Sequence, residues 1–125
     1  MIAADSSVII SYLDGDTGRD IDRLAAAFSN RELTLPPPVL TELLSAGNLP
    51  AEVEAALDEA PLMALTEGYW RRAGEMRHLI LSKGLKARLA DCLIAQCCID
   101  AAVPLLARDS DFRHFAKWCG LELAE

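Results

Sequence analysis

The chain has 125 residues, 52% of them hydrophobic and 25% charged, and its formal net charge at pH 7 is −7. This length suits one domain around one core, so we expect a single domain over residues 1–125. No stretch reaches the 18 or so apolar residues of a membrane span, and the first residues lack the features of a signal peptide. We therefore expect a cytoplasmic protein without a membrane partner. The acidic total argues against tight, indiscriminate binding of nucleic acid.

Short apolar strands alternate with helical patterns along the chain. Strands are predicted at 1–4, 33–35, 62–65, 103–107 and 121–123. Between them, helices are predicted over 8–13, from residue 20, after the prolines at 36–38, over 51–57, after residue 66, after residue 84 and over 111–119. Ser6 or Ser7 is the expected cap of the first helix, and Thr66 of a later one. Alternation of this kind predicts an α/β fold, a three-layer α/β/α sandwich with a short central parallel sheet.

The four cysteines have no spacing typical of a metal site. Zinc sites usually combine Cys-x₂₋₄-Cys pairs with a second pair or with histidines. Cys92, Cys97 and Cys98 instead lie in one apolar helical run, where a free cysteine behaves as a small hydrophobic residue. We expect them in the core.

Four acidic residues are candidates for a functional site. Asp5 ends the first predicted strand, and Asp109 follows the strand that ends at Ala107, so both reach the carboxyl edge of a parallel sheet, where ligands bind. Asp91 lies in the most apolar helix, where an unpaired carboxylate is costly; attraction to the helix N-terminus is its simpler explanation. Glu42 lies off the apolar stripe of its helix, and taken alone it is an exposed helix residue.

Several carboxylates in one crevice repel one another, and a hard divalent cation relieves that repulsion. Mg²⁺ or Mn²⁺ suits a site of acids without histidine, and such an ion would support hydrolysis of a phosphodiester bond. Other kinds of site fit less well. The sequence has no glycine-rich phosphate loop, and neither His78 nor His114 has a serine or cysteine partner in a recognisable motif.

The four acids lie in four short motifs that occur in order within residues 1–112. The motifs are Asp5-Ser6-Ser7-Val8-Ile9-Ile10, Leu40-Thr41-Glu42-Leu43, Leu89-Ala90-Asp91-Cys92-Leu93-Ile94-Ala95 and Leu105-Leu106-Ala107-Arg108-Asp109-Ser110-Asp111-Phe112. Together they resemble the motifs of PIN-domain ribonucleases, and at this chain length those of the VapC-type toxins of bacterial toxin–antitoxin pairs. Ala107 departs from the pattern, because a threonine or serine is common there.

The resemblance implies an endoribonuclease that depends on Mg²⁺ or Mn²⁺, forms a homodimer and is inhibited by an antitoxin protein. It gives catalytic roles to Asp5, Glu42, Asp91 and Asp109. Among these, Asp5, Asp91 and Asp109 would hold the metal, with Glu42 bound directly or through water. Asp111 is a further candidate ligand, with support of the following helix as its alternative role, and Ser7 is a supporting residue.

Positive charge is concentrated between residues 71 and 88, where six basic residues face only Glu75 and the net charge is +5. A solvated helix face is the simpler explanation of such a run. A local basic patch also guides phosphate groups better than whole-chain charge does. The residues expected to contact RNA are Arg72, Arg77, Lys86, Arg88 and Arg108.

Two other functions remain open at this point. The first is a catalytically silent module that keeps the fold for protein binding, against which the presence of all four acids argues. The second is a receiver-type phosphoacceptor domain. It would have paired acids after the first strand and a lysine on a late strand, whereas this chain has only Asp5 and no such lysine.

Overall fold

The structure, a computed structural model, describes residues 1–124. Its centre is a parallel sheet of three short strands, β1 (Ile2–Ala4), β2 (Leu33–Thr34) and β3 (Leu105–Leu106), in the order β2-β1-β3. Leu35 pairs with Leu62, and Leu105 with Leu123, as single parallel bridges. The strands predicted at 62–65 and 121–123 are therefore reduced to one bridge each.

Seven helices surround the sheet within residues 1–124. They are α1 (Ser6–Leu13), α2 (Arg19–Ser29), α3 (Pro37–Ser45), α4 (Ala51–Glu59), α5 (Tyr69–Ser82), α6 (Leu89–Ala101) and α7 (Phe112–Cys119). The helix after the prolines begins with Pro37 at its first position, where a proline costs no hydrogen bond because that N–H would be unpaired anyway. The predicted α/β/α fold is confirmed.

The core lies between the sheet and the helices, and every residue of the three strands is buried. α6 crosses this core and buries Asp91 and Gln96 together with its apolar residues. Cys92, Cys97 and Cys98 are free and buried, as predicted. Burial of α6 on so many sides fixes the position of its acidic residue.

The caps of two helices differ from the sequence prediction. Asp5, rather than a serine, caps α1, and its carboxylate accepts the backbone N–H of Ser7. Gly68 precedes α5 in a left-handed conformation with no side-chain cap, and Thr66 lies two residues earlier still. Asp and Ser cap helices about equally well, so the sequence could not decide between Asp5 and the serines that follow it.

The strand order creates one crevice at the carboxyl edge of the sheet. From β1 the chain passes to β2 on one side and then returns to β3 on the other side. Ligands of open α/β sheets bind at such a point, where the order of the strands reverses. Asp5 follows β1 and residues 107–111 follow β3, so both segments border this crevice.

Within residues 1–124, no helix is long and apolar enough to cross a membrane.

Candidate metal centre

Asp5 is held firmly at the carboxyl end of β1. Its backbone N–H donates to the carbonyl of Leu106 on β3 at 2.8 Å, which extends the sheet by one bond. Its Oδ2 accepts the hydroxyl of Ser7 at 2.6 Å and the backbone N–H of Ser7 at 3.2 Å. Burial raises the pKa of Asp5, the bonds from Ser7 oppose the rise, and the charge of Asp109 adds to it. The carboxylate is thus oriented and close to a second acid.

The charged form of Asp91 is disfavoured by its surroundings. It lies in the first turn of α6 and is 8% exposed. Burial raises its pKa to about 6, the charges of Asp5, Asp109 and Glu42 contribute to the rise, and Arg88 opposes it. Its Oδ2 is buried and has no hydrogen-bond partner. A buried carboxylate oxygen without a partner is costly, and this one is placed where a cation would be stabilised.

The segment after β3 brings two further acids to Asp91. One carboxylate oxygen from each of Asp91, Asp109 and Asp111 lies within 4.8 Å of the others. The backbone N–H of Asp111 donates to Oδ1 of Asp109 at 2.9 Å, which fixes the two acids relative to each other. Asp111 precedes α7 but makes no side-chain cap bond to it. Its carboxylate therefore belongs to the acid cluster, and its geometry does not support the alternative role as a helix cap.

Glu42 lies at the exposed border of the cluster. It is exposed on α3, as expected from its position off the apolar stripe. Its Oε1 accepts the hydroxyl of Ser6 at 3.1 Å. Its charge contributes to the raised pKa of Asp91. The charges of Asp5, Glu42 and Asp109 thus all act on Asp91. Among the described residues, the group of oxygens within 4.8 Å of one another consists of Asp91, Asp109 and Asp111, without Asp5 or Glu42.

Two of the five predicted RNA-binding residues lie beside the acids. The Nζ of Lys86 is 4.0 Å from Oδ2 of Asp111. Arg88 immediately precedes α6, and its charge acts on Asp91. His114, which the sequence gave no role, also lies here, with Nε2 4.0 Å from Oδ1 of Asp111. No motif marked Lys86 as a neighbour of Asp111, since packing of α7 beside the 83–88 loop creates that contact. His114 is near Asp111 because it lies three residues later, in the first turn of α7, a spacing that the sequence does show.

The other three predicted RNA-binding residues are bound to protein acceptors. Arg72 donates from Nη2 to Oδ2 of Asp100 at 2.6 Å, and Asp100 is nine residues, or about 13 Å, along α6 from the acid cluster. Arg77 donates from Nε to the carbonyl of Ala87 at 2.9 Å. The structure does not place these two guanidinium groups at the acids.

Arg108 follows β3, and its guanidinium binds the loop before α2 and the first turn of that helix. Its Nε donates to Oδ2 of Asp20 at 2.6 Å, its Nη1 to Oδ2 of Asp16 at 3.1 Å, and its Nη2 to the carbonyl of Thr17 at 3.0 Å. The pKa of Asp20 is lowered, chiefly by the bond from Arg108. Arg108 is thus the tie between the fourth motif and residues 16–20.

The arrangement fits a divalent cation chemically. Every candidate ligand is a carboxylate, and oxygen ligands of this kind suit Mg²⁺ and Mn²⁺. The unpartnered Oδ2 of Asp91 lies among them. A site of this composition would bind a hard cation and a phosphate group together.

Comparisons with known proteins agree with the fold. A family model described as PIN domain matches residues 2–117. The structure resembles a chain of the DNA-bound VapBC complex from Salmonella typhimurium, with a TM-score of 0.73 and 16% identity, covering 99% of this chain and 98% of that one. It also resembles a chain of VapBC2 from Rickettsia felis bound to promoter DNA, with a TM-score of 0.71 and 20% identity, covering 99% and 98%.

A third similar structure is VapBC-5 from Mycobacterium tuberculosis, a member of the VapBC family of toxin–antitoxin systems. Its TM-score is 0.67 at 15% identity, covering 99% of this chain and 97% of that one. No curated protein matches the sequence significantly. Identities this low establish a shared fold, while the family model spans nearly the whole sequence. The chain belongs to the PIN domain family.

Proposed function

We propose that this protein is an endoribonuclease that depends on Mg²⁺ or Mn²⁺ and hydrolyses phosphodiester bonds at the acid cluster. The observation that carries the proposal is the state of Asp91. Its carboxylate is buried among three other acids, its pKa is raised to about 6, and its Oδ2 lacks a partner. Carboxylates whose pKa is raised in this way by burial and by neighbouring acids cluster at functional sites.

Asp5, Asp91 and Asp109 are the proposed metal ligands, with Asp111 as a fourth. A bound divalent ion would lower the pKa of a coordinated water and neutralise charge on the phosphate. Ser7 fixes the rotamer of Asp5 through its 2.6 Å bond. Glu42, which is exposed and accepts the hydroxyl of Ser6, would orient a water molecule at the open side of the cluster. Proton uptake by Glu42 from that water is its proposed catalytic contribution.

Lys86 and Arg88 are the proposed phosphate contacts next to the acids. Both lie within the electrostatic reach of the cluster, Lys86 beside Asp111 and Arg88 at the start of α6. Contacts of RNA with Arg72, Arg77 and Arg108 would have to compete with the hydrogen bonds that these side chains donate to Asp100, Ala87 and Asp20.

The biological role that we propose is that of the toxin in a bacterial toxin–antitoxin pair, acting on RNA in the cytoplasm. The support is the membership of the PIN domain family and the fold shared with chains of VapBC complexes. A cognate antitoxin and a second copy of this chain are the proposed partners. An exposed apolar groove beside Glu42, lined by Pro37, Leu65 and Trp70 among others, offers surface for such contacts.

The nuclease proposal is tested by incubating the purified chain with single-stranded RNA in Mg²⁺, in Mn²⁺ and in EDTA. Cleavage is expected in both metals and not in EDTA, and Asp91→Asn purified in the same way should be inactive. Persistence of cleavage in the Asn variant would point to a contaminant. If the wild type binds metal but leaves every RNA intact, the silent protein-binding module becomes the better account.

The toxin role needs a separate measurement. Expression of the chain alone should arrest bacterial growth, and co-expression with the small protein encoded beside it should relieve the arrest. Asp91→Asn should be harmless while still forming the complex. Growth arrest by the Asn variant would contradict the proposal that RNA cleavage causes toxicity.

A further inference from the structure

An exposed tryptophan between two lysines lies on α7, outside the acid cluster. Trp118 is 42% exposed. The Nζ of Lys83 lies 3.8 Å from the centre of its ring, and the Nζ of Lys117 lies 4.9 Å away. Two ammonium groups beside one indole ring form a positively charged aromatic site.

The 83–88 loop and α7 are basic although the whole chain is acidic, while Glu75 lines the groove on the α5 side of Trp118. The 83–88 loop and α7 contain no acidic residue, and five basic residues lie in them: Lys83, Lys86, Arg88, Arg113 and Lys117. Within residues 1–124, no carboxylate forms an ion pair with Lys83, Lys117 or Arg113. A chain of net charge −7 thus has a positive strip here, formed by Lys83, Lys86, Arg88, Arg113 and Lys117, in which Lys86 and Arg88 lie near acids of the cluster.

The strip is continuous with the acid cluster. Asp111 immediately precedes α7, and Lys86 lies 4.0 Å from it. From there α7 runs seven residues to Trp118, a rise of about 10 Å. Lys83 lies three residues before Lys86 in the loop and reaches the Trp118 ring. The strip therefore runs from the acids, at Lys86 and Asp111, to the indole ring of Trp118.

We propose that this strip binds a single-stranded segment of RNA next to the bond that is cut: one base displaces the ammonium of Lys83 from the ring of Trp118 and stacks there, and Lys83 and Lys117 contact phosphates. The inference rests on the proposed nuclease function and adds the conformation and path of its substrate. Stacking on an aromatic ring combined with basic contacts is how proteins hold single strands without reading sequence. A base inside a duplex could not reach the indole, so the strip selects unpaired RNA.

Charge favours RNA over a protein partner as the occupant. Trp118 borders a groove that also contains Leu79, Met76 and Ile99, but its ring is flanked by the ammonium groups of Lys83 and Lys117. Lysine is depleted at the centres of protein interfaces. Phosphate groups, by contrast, neutralise such charges and release counterions.

The first test follows the emission of Trp118 directly. The Trp70→Phe variant leaves Trp118 as the only tryptophan of the chain. Adding an unstructured RNA oligonucleotide in EDTA, where no cleavage is expected, should quench this emission through base stacking. Binding of the RNA with unchanged Trp118 emission would overturn the inference.

The second test measures affinity for the same RNA in EDTA. Trp118→Ala should weaken binding between about fivefold and 150-fold, and Trp118→Phe, which keeps a stacking surface, should weaken it far less. Lys83→Gln combined with Lys117→Gln should reduce the log–log salt slope by about 1.4, because each lost contact to a single strand removes about 0.7. Arg31→Gln is the control, since Arg31 precedes β2 at the opposite edge of the sheet.

The outcomes separate this inference from the nuclease proposal. A wild type that cleaves RNA while Trp118→Ala binds it normally overturns the inference and leaves the nuclease intact. If RNA quenches the emission of Trp118 in the wild type but nothing is cleaved in Mg²⁺ or Mn²⁺, the nuclease proposal is wrong and the inference about the binding strip is supported. If Trp118→Ala binds RNA normally yet loses a protein partner, the strip is a protein-docking face and the inference is wrong.

Discussion

The hydroxyl of Ser7 donates a 2.6 Å hydrogen bond to Oδ2 of Asp5. The same hydroxyl oxygen accepts the backbone N–H of Arg108 at 3.2 Å. Ser7 thereby joins the segment after β1 to the segment after β3, the two segments that border the crevice. Its position sets both the orientation of Asp5 and the spacing between the first and fourth motifs.

Removing the hydroxyl of Ser7 should weaken the metal site without unfolding the protein. We expect Ser7→Ala to lower Mn²⁺ affinity about 10- to 100-fold, the usual effect of losing a bond that orients a metal ligand. Ser7→Thr keeps the hydroxyl and should retain most of the affinity. Equal Mn²⁺ affinity in the Ala variant and the wild type, measured by calorimetric titration, would show that the bond does not position Asp5.

The raised pKa of Asp91 makes a prediction about stability and pH. Its pKa in the folded state is about 6, above the ordinary value of 3.8, so Asp91 destabilises the metal-free fold increasingly from about pH 3.8, and the effect is complete above pH 6. Asp91→Asn should raise the free energy of unfolding in EDTA at pH 7.5 by about 1–3 kcal/mol. The gain should shrink as the pH falls below 6 and be lost below about 3.8, where Asp91 is protonated in the unfolded chain as well as in the fold.

Denaturant unfolding in EDTA at several pH values measures this gain. Addition of Mn²⁺ should reverse the ranking, because only the wild type keeps the ligand; at 1,000 times the dissociation constant the stabilisation is about 4.1 kcal/mol, which exceeds the gain of the Asn variant. An Asn variant that is less stable than the wild type at pH 7.5 without metal would contradict the strained state of Asp91.

Asp111 should act through the acid cluster and not as a helix cap. It makes no side-chain bond to α7, so Asp111→Ala should cost far less than the roughly 1 kcal/mol expected for a lost cap. The same change should weaken Mn²⁺ binding, since Asp111 offers an oxygen within 4.8 Å of those of Asp91 and Asp109. A large loss of stability in EDTA with normal Mn²⁺ affinity would restore the role as a cap.

Arg72 should stabilise the fold through Asp100. The bond from Arg72 is the main cause of the lowered pKa of Asp100, which gives stability above pH 3.8 that is lost as the pH falls through the folded pKa. Arg72→Gln should therefore lower the melting temperature at pH 7, and the difference should narrow in acid. Arg71→Gln is the matched control, because Arg71 pairs with Glu75 on an exposed helix surface and should contribute little.

Measuring RNA binding by Lys86→Gln and Arg72→Gln ranks two of the predicted RNA contacts. Lys86→Gln should weaken RNA binding more than Arg72→Gln does, because Lys86 lies beside Asp111 while Arg72 is paired with Asp100. The comparison is made in EDTA with RNA left intact. An Arg72 variant with the larger loss would place the RNA path along α5.

The fold and the two acids at strand ends could be predicted because both depend on short-range patterns, whereas Glu42 and Asp91 became candidates through the resemblance of their motifs. Apolar runs ending at Asp5 and before Asp109 predict strand ends, and parallel strands bring those ends to one edge. The identity of the α1 cap was missed because neighbouring residues of similar capping strength compete for that position. These are local questions, and sequence answers them to within a residue or two.

The partners of side chains that pair over long sequence distances could not be predicted from the sequence. Arg72, Arg77 and Lys86 all lie in one basic run, yet packing gives each a different partner: Asp100, the carbonyl of Ala87 and Asp111. Nothing in the spacing of these charges indicates which basic side chain forms an internal ion pair or hydrogen bond. The single bridges at Leu62 and Leu123 have a similar cause, because the length of an edge strand depends on its neighbour.

The central claim, that one cluster of carboxylates binds a divalent metal, is tested most directly by titrating the protein with Mn²⁺ and following bound ion by electron paramagnetic resonance. The wild type should bind Mn²⁺ saturably, and excess Mg²⁺ should compete. Asp91→Asn should lose this binding, whereas Asp58→Asn, which removes an exposed acid on α4, should keep it. Binding in the Asp91 variant equal to that of the wild type, or none in the wild type at millimolar Mn²⁺, would contradict the account.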